Sequence, residues 1–328
     1  MSQTGKARVA IGGITGYVGR NLGRILEKSG KYEIYGISRN PSNSLLGGMN
    51  VKECKTWDDF SKHGFELPMD IIANFAGSPL FQFPIINKDS YFQELNESRL
   101  IPNKIITDHI NKHSNPPKLF LSASGVSYYP SQKVVSEPYL SESYEIRGEP
   151  ENLLQKLARD TEDSCKLNDG CSTLVYNARF GAIFGRNSKI FTILHNLYRI
   201  QCGFEMGNPN SYFHWIFIED VCTAIKLLFD SAMHGGNTMP TFPPGPINFV
   251  SNYTENCTNS SLSKAFERVT CNRALANINP KLLSYIFTKD IAQSLFDQQN
   301  MIYPGKLIEM GFKFRQTGID SLLDLLID

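Results

Sequence analysis

The chain has 328 residues, 41% of them apolar, which is enough to bury a continuous core in one large or two modest domains. Its 33 Lys and Arg against 32 Asp and Glu leave a net charge of +1, so no overall field draws it to nucleic acid or to an anionic membrane. The expected partner is a small molecule, with no nucleic acid and no membrane.

From the N-terminus, Arg8-Val-Ala-Ile-Gly12 is a short apolar run that ends in glycine, and Leu22, Ile25 and Leu26 then recur at helical spacing. Because this first strand begins near Val9, no secretory signal fits before it, and no apolar run reaches the roughly 18 residues of a membrane span. A cytoplasmic location is expected. A second strand, Glu33 to Ile37, closes into Ser38-Arg39-Asn-Pro41 and completes one βαβ unit. Further strand signals follow at Asp70 to Phe75, Lys118 to Ser122 and Ser172 to Asn177, with helix-like text around 90–113 and 151–166.

This alternation predicts an α/β fold, a Rossmann-type doubly wound parallel sheet. The expected division is a dinucleotide-binding domain over 1–185, joined by one more strand near 246–250, and a smaller, mainly C-terminal lobe over 186–328. Helices are expected there at 260–270, 280–296 and 318–327, and Glu219-Asp220 is expected to cap a helix from Val221 to Asp230. The seven cysteines (Cys54, Cys165, Cys171, Cys202, Cys222, Cys257, Cys271) stand singly, without C-x-x-C or zinc spacing, and read as reduced thiols with no metal. Three sequons, at Asn252, Asn256 and Asn259, read as a polar loop and helix caps.

The densest chemical signal is Gly13-Ile-Thr15-Gly16-Tyr17-Val18-Gly19, three glycines at G-x-x-G-x-x-G spacing between a strand and a helix. Glycine lets the backbone turn sharply and approach a pyrophosphate, whose charge then sits at the helix N-terminus. This turn, Thr15, Tyr17 and Val18 included, is the expected cofactor cradle. Where an NAD-binding chain carries an acidic residue at the end of the second strand, this one has Ser38-Arg39. A hydroxyl beside a guanidinium suits a 2'-phosphate, so the expected cofactor is NADP.

The chain resembles the extended short-chain dehydrogenase/reductase superfamily, in its atypical "epimerase family" branch of NADP-dependent oxidoreductases. The likeness runs through Gly12 to Gly19, Ser38 to Pro41, Asn74-Phe-Ala-Gly77, Glu97-Ser-Arg99, Ser124-Gly-Val-Ser-Tyr-Tyr129, Arg179 to Ile183, Trp215 to Asp220, and the tail at Tyr303 to Lys306 and Gly311 to Phe314. The resemblance implies that Phe75, Ala76 and Gly77 flank the adenine side of the cofactor. It places Glu94 and Arg99 on the helix facing it, Ser124 on a substrate oxygen and Ile183 by the nicotinamide. It also implies a homodimer as one arrangement.

The pattern departs from the superfamily at the proton donor. A Tyr followed four residues later by Lys is usual on the helix after the Ser, with the Lys lowering the Tyr pKa and holding the ribose. Here that helix reads Glu151 to Asp163 and has no such pair, and the branch's Trp-Glu is Thr161-Glu162. Tyr128 and Tyr129, near Ser124, are the remaining candidate donors. Tyr129/Lys133 and Tyr285/Lys289 share the spacing but fall in a loop and in the C-terminal lobe, and His214 reads as structural. Three functions follow: an NADP-dependent oxidoreductase acting on a carbonyl, hydroxyl or sugar-like substrate, a non-catalytic NADP(H) sensor or scaffold, and a nucleotide-sugar epimerase.

Overall fold

The structure, a computed structural model, describes residues 5–42, 46–80, 88–201, 203, 205–234, 243–251, 257–274, 277–278 and 296–327. In chain order, β1 (Ala7–Gly12), α1 (Tyr17–Ser29), β2 (Tyr32–Ile37), β3 (Val51–Lys55), α2 (Trp57–His63), β4 (Ile71–Asn74), α3 (Lys88–Lys112), β5 (Leu119–Gly125), α4 (Leu153–Asp163) and β6 (Leu174–Phe180) form the first part. They are followed by β7 (Ala182–Phe184), α5 (Lys189–Arg199), β8 (Glu205–Met206), β9 (Trp215–Phe217), α6 (Ile218–His234), β10 (Gly245–Phe249), α7 (Asn259–Thr270), β11 (Asn277–Ile278), α8 (Gly305–Glu309) and α9 (Ile319–Ile327).

Seven strands make one parallel sheet in the order β10-β6-β5-β4-β1-β2-β3. The chain runs outward from β1 to β3 and then reverses to β4, so the switch point falls between β1 and β4, where such sheets open a crevice at their carboxyl ends. Both faces are covered, which is why the central strands read as unbroken apolar runs rather than alternating ones. Val9, Ile11, Leu119 and Leu121 join α1 and α6 in one core, while Ala10, Ile72 and Phe120 join Phe60 of α2 and Ile106 and Ile110 of α3 in the other.

Residues from beyond 185 thus enter the sheet layer, because β10 pairs with β6 at the edge and α6 lies against α1. Two short parallel pairs, β7 with β9 and β8 with β11, stand outside the main sheet. The helix expected from Val221 starts at Ile218, so Glu219 and Asp220 lie in its first turn. Buried Asp220 accepts the backbone N–H of Arg315 and is turned to the C-terminal segment rather than to a cap.

Among the sequons, Thr258 caps α7 in a capping box with Ser261, and the Asn259 amide is buried against the carbonyls of Asn208 and Phe296. The helix expected over 280–296 lies, up to residue 295, outside the described residues. So do residues 235–242, Cys202, Asn252, Asn256, Tyr285 and Lys289. Among the described residues no helix is long and apolar enough to cross a membrane, and no His/Cys/Asp/Glu cluster has the makings of a metal site.

Candidate cofactor groove

The groove starts where β1 ends. Gly13 takes a positive φ of 72°, and a Cβ there would lie 2.9 Å from the backbone of Phe75 and Ala76, so only glycine seats the turn against the end of β4. A Cβ on Gly16 would lie 3.0 Å from the Gly13 carbonyl oxygen, and one on Gly19 would collide with that oxygen. α1 begins at Tyr17 with Gly16 extended at its N-cap, no side chain capping it and no acidic residue in the first turn. The positive end of a 13-residue helix is therefore left for an external acceptor. The absent Cβ atoms let the turn close on itself and on the end of β4, and an uncapped helix N-terminus in such a tight glycine turn suits the charge of a pyrophosphate.

Thr15 Oγ1 and Ser38 Oγ sit 3.0 Å apart, tying the turn to the end of β2. Ser38 is buried, while Arg39 is exposed and, among the described residues, takes part in no hydrogen bond or ion pair. No acidic residue stands between Ile37 and Ser42. The Tyr17 hydroxyl donates to the Arg186 carbonyl at 3.1 Å and packs on Gly185, so it links the turn to the segment after β7, and burial pushes its pKa upward. Val18 packs on the core below.

Across the crevice, a cavity of about 180 Å³ is lined by Phe75 and Gly77 after β4, Arg99 of α3, Ser124 of β5, and Leu154 and Ala158 of α4. Ala76 completes the loop beside Gly77. Arg99 donates to the carbonyls of Leu95 (3.1 Å) and Ser78 (3.0 Å), while the exposed Glu94 accepts the Ser78 hydroxyl at 2.6 Å. Both predicted residues of α3 thus steer the segment after β4, but only Arg99 reaches the cavity. Ile183 lies in β7 opposite Ile216, packed on the core and apart from this cavity's lining.

Beneath Ser124 lies a buried polar chain. Ser124, Arg179 and Asn248 are register neighbours on three adjacent strands. Ser124 Oγ donates to Glu162 Oε1 at 2.9 Å, and Arg179 grips both Glu162 oxygens at 2.8 Å. The second guanidinium edge donates to the Tyr129 hydroxyl (2.9 Å), whose own proton faces the Asn248 side chain and the Ser141 carbonyl, each at 2.9 Å. Burial, opposed by nearby Arg179, pushes the Tyr129 hydroxyl up to about 12. Burial works to lower the Arg179 pKa, but the bonds from Glu162 and Tyr129 overcome it and hold the group cationic.

Tyr129 is therefore a buried bolt of this network rather than a group facing the groove. Tyr128 stacks its ring 3.4 Å from the Arg179 guanidinium carbon and lines a separate cleft of about 370 Å³ with Glu162 and Arg159. His214 is buried too, with Nε2 against the Asn300 carbonyl at 3.0 Å and burial lowering its pKa to about 4. It is structural, as its aromatic surroundings suggested.

The superfamily's Tyr and Lys positions find no counterpart here, because the residues of α4 facing the groove are Leu154, Leu157, Ala158 and Thr161, and the Thr161 hydroxyl donates back to the Leu157 carbonyl. Glu162 and Asn248 complete this network, although neither is among the site residues expected from the sequence, where Glu162 enters only as half of the altered Thr161-Glu162 pair. The one available signal was a charged Arg179 inside an otherwise apolar strand, since a buried guanidinium requires a partner. A larger cavity, of about 730 Å³, lies on another face of α4 between Gln155, Arg159 and the 130–151 segment, with Lys133 and Arg147 mixed among Glu137 and Glu149. It has neither a glycine cradle nor a single sign of charge.

A parallel sheet with a glycine turn at its switch point, packed against the Phe75–Ala76 backbone that lines the cavity beside Ser124, defines a Rossmann-type α/β protein. The chain belongs to the NAD dependent epimerase/dehydratase family, whose model matches residues 9–239. It is 25% identical over 311 residues to the human epimerase family protein SDR39U1, spanning 94% of this chain and 95% of that one. An epimerase family protein of Staphylococcus aureus (strain N315) is 24% identical over 324 residues, 97% of this chain and 98% of its own.

Among solved structures, human SDR39U1 (isoform 2) with NADPH matches with a TM-score of 0.81 at 23% identity, covering 98% of this chain and 99% of that one. UDP-glucuronic acid 4-epimerase from Bacillus cereus, in complex with UDP-glucuronic acid and NAD, matches with a TM-score of 0.73 at 15% identity and 98% of each chain. The extended fold expected from the motifs is thereby confirmed.

Proposed function

We propose that this chain is an NADP(H)-dependent oxidoreductase of the extended short-chain dehydrogenase/reductase type, acting on a carbonyl, hydroxyl or sugar-like small molecule. The observation that carries the reading is the junction of turn and second strand: Gly13, Gly16 and Gly19 allow a tight turn before the uncapped N-terminus of α1, Thr15 holds Ser38 beside it, and the exposed Arg39 follows with no acidic residue next to it in sequence. A 2'-phosphate fits that corner, whereas a ribose 2'-hydroxyl finds no carboxylate there. The NADPH in the human SDR39U1 crystal structure supports the same choice.

In this reading the turn, with Tyr17 and Val18 opening α1, holds the pyrophosphate. Phe75, Ala76, Gly77 and the α3 residues Glu94 and Arg99 shape the opposite wall, and Ile183 closes the far side. The cofactor supplies or accepts a hydride when bound. Ser124 orients the substrate oxygen, and Glu162 with Arg179 fixes the Ser124 hydroxyl. The free cysteines support action in a reducing compartment such as the cytoplasm.

A second reading, a non-catalytic NADP(H) sensor, is favoured by the apolar α4 wall, where Leu154 and Ala158 bring no ionisable group into the groove. A nucleotide-sugar epimerase with tightly held NAD is disfavoured by Ser38-Arg39. Incubating the purified chain with NADPH and a panel of aldehydes, ketones and keto-sugars, and following loss of NADPH absorbance, separates them. Turnover with any member supports the oxidoreductase, whereas tight binding with no turnover across the panel supports the sensor.

A further inference from the structure

A second cleft, of about 370 Å³, lies on the flank of α4 turned away from the cofactor groove. It is bounded by Tyr128, Ile146, Arg159 and Lys166, with Val175 and Asn177 contributed by β6. None of these residues lines the cavity beside Ser124. Arg159 and Ile146 also line the larger cavity under the 130–151 segment, so the two spaces adjoin at the arginine.

Two polar side chains in this cleft lack partners. Asn177 is only 9% exposed, its oxygen is buried with no hydrogen bond, and among the described residues its nitrogen bonds nothing either. Arg159 donates from Nη1 to the Gly148 carbonyl at 2.7 Å, while its Nε is buried and unpartnered. Buried polar groups in native folds are almost always paired, so an orphaned amide facing a cleft calls for a partner from outside the chain.

The remaining charges are settled internally. Arg179 grips both Glu162 oxygens, and Lys166 pairs with Asp163 at 2.7 Å. Among the described residues Arg159 forms no ion pair, which leaves the cleft one uncompensated positive charge and one unsatisfied amide. Ile146, Val175 and the Tyr128 ring, itself fixed by its stack on Arg179, supply apolar wall. A concave, partly apolar site with a few convergent polar groups is the usual form of a small-molecule pocket.

We propose that this cleft is a second ligand site, taking a small organic acid that carries one carboxylate and one neutral hydrogen-bonding group, a carboxamide or a hydroxyl. The carboxylate meets Arg159, whose guanidinium geometry matches it, and the neutral group meets the Asn177 amide. Both neutral groups donate and accept, so they pair with Asn177 whichever way its amide is turned. A phosphate monoester fits worse, because its second charge finds no second free cation and faces Glu162 and Asp163. The site is independent of the cofactor reading, since it shares no residue with the glycine turn or with the cavity beside Ser124.

The test is calorimetric titration of the full chain with succinamate, which carries a carboxylate and a carboxamide, and with succinamide and butyrate, which lack the charge and the amide respectively. Arg159→Gln and Asn177→Leu are titrated in parallel, with thermal melts to show that each folds. The expected result is that succinamate binds at least about tenfold more tightly than either control, and that each variant loses about tenfold or more of that affinity. Arg159 is part-exposed on α4, so its variant carries the test even if Asn177→Leu does not fold.

The proposal is overturned if the parent chain binds none of the three compounds, which leaves a cleft filled by water alone. It is overturned equally if Arg159→Gln keeps the parental affinity for succinamate, or if butyrate binds the parent as tightly as succinamate does.

Discussion

Ser124 and Glu162 are joined by a 2.9 Å hydrogen bond in which the serine donates, and this one contact decides what the groove presents to a ligand. With its proton directed at a carboxylate, Ser124 is left with acceptor lone pairs, the orientation that the proposed function requires for a substrate hydroxyl. The carboxylate stays in place because Arg179 holds both of its oxygens.

That ion pair is nearly buried, with side-chain exposures of 3% for Arg179 and 11% for Glu162. Removing one partner strands a charge, so Glu162→Ala is expected to lose roughly 3–5 kcal/mol of stability. Urea denaturation measures it, and a Glu162→Ala/Arg179→Leu double variant should recover part of the loss because no charge is left unpaired. A single variant as stable as the parent contradicts the account.

The position of Tyr129 argues for a structural effect rather than a chemical one. Its hydroxyl meets Arg179, Asn248 and the Ser141 carbonyl, so Tyr129→Phe is expected to cost about 1–3 kcal/mol by leaving buried groups unpaired. NADPH affinity should stay at the parental value. Loss of NADPH-dependent turnover without any loss of stability would instead make Tyr129 a proton donor.

Much of the fold was legible because its signals are local. The turn from Gly13 to Gly19 declares itself by glycine spacing, and strands buried on both faces, such as Ile71–Asn74, are plain apolar runs. β3 escaped because Val51–Lys55 is a partly exposed strand carrying Lys52, Glu53 and Lys55. The network under Ser124 escaped for a different reason: Tyr129 meets Asn248 across 119 positions, and only the strand register brings Asn248 beside Arg179. Glu162 lies 17 residues before Arg179, on the helix that crosses to β6, and nothing in the spacing says which charges meet.

Two glycines of the turn separate cofactor binding from stability. Gly16 has an ordinary φ of −75°, so Gly16→Ala should fold with a loss of less than about 1 kcal/mol while its methyl crowds the cradle and weakens NADPH about tenfold or more. Gly13→Ala meets both a positive φ and the backbone of Phe75 and Ala76, and is expected to lose about 1–3 kcal/mol. Thermal melts beside NADPH titrations check both, and equal loss of affinity and stability in Gly16→Ala contradicts the cradle.

His214 makes stability fall in acid. Burial lowers its pKa in the folded state from 6.5 to about 4, so between those values the unfolded chain binds the extra proton and the folded chain does not. Its contribution is intact above pH 6.5 and is lost as the pH falls toward 4, on the order of 3 kcal/mol across that window. Denaturation at pH 7 and pH 4.5 should show the drop in the parent chain and a smaller one in His214→Gln; equal drops contradict it.

In the proposed function the groove binds a dinucleotide and Arg39 selects the 2'-phosphate. Fluorescence titration of the purified chain and of Arg39→Ala with NADPH and NADH tests it most directly. The parent is expected to prefer NADPH by at least about tenfold, and Arg39→Ala to lose most of this preference while NADH affinity is unchanged. Equal affinity of the parent for both nucleotides, or no binding of either, contradicts it.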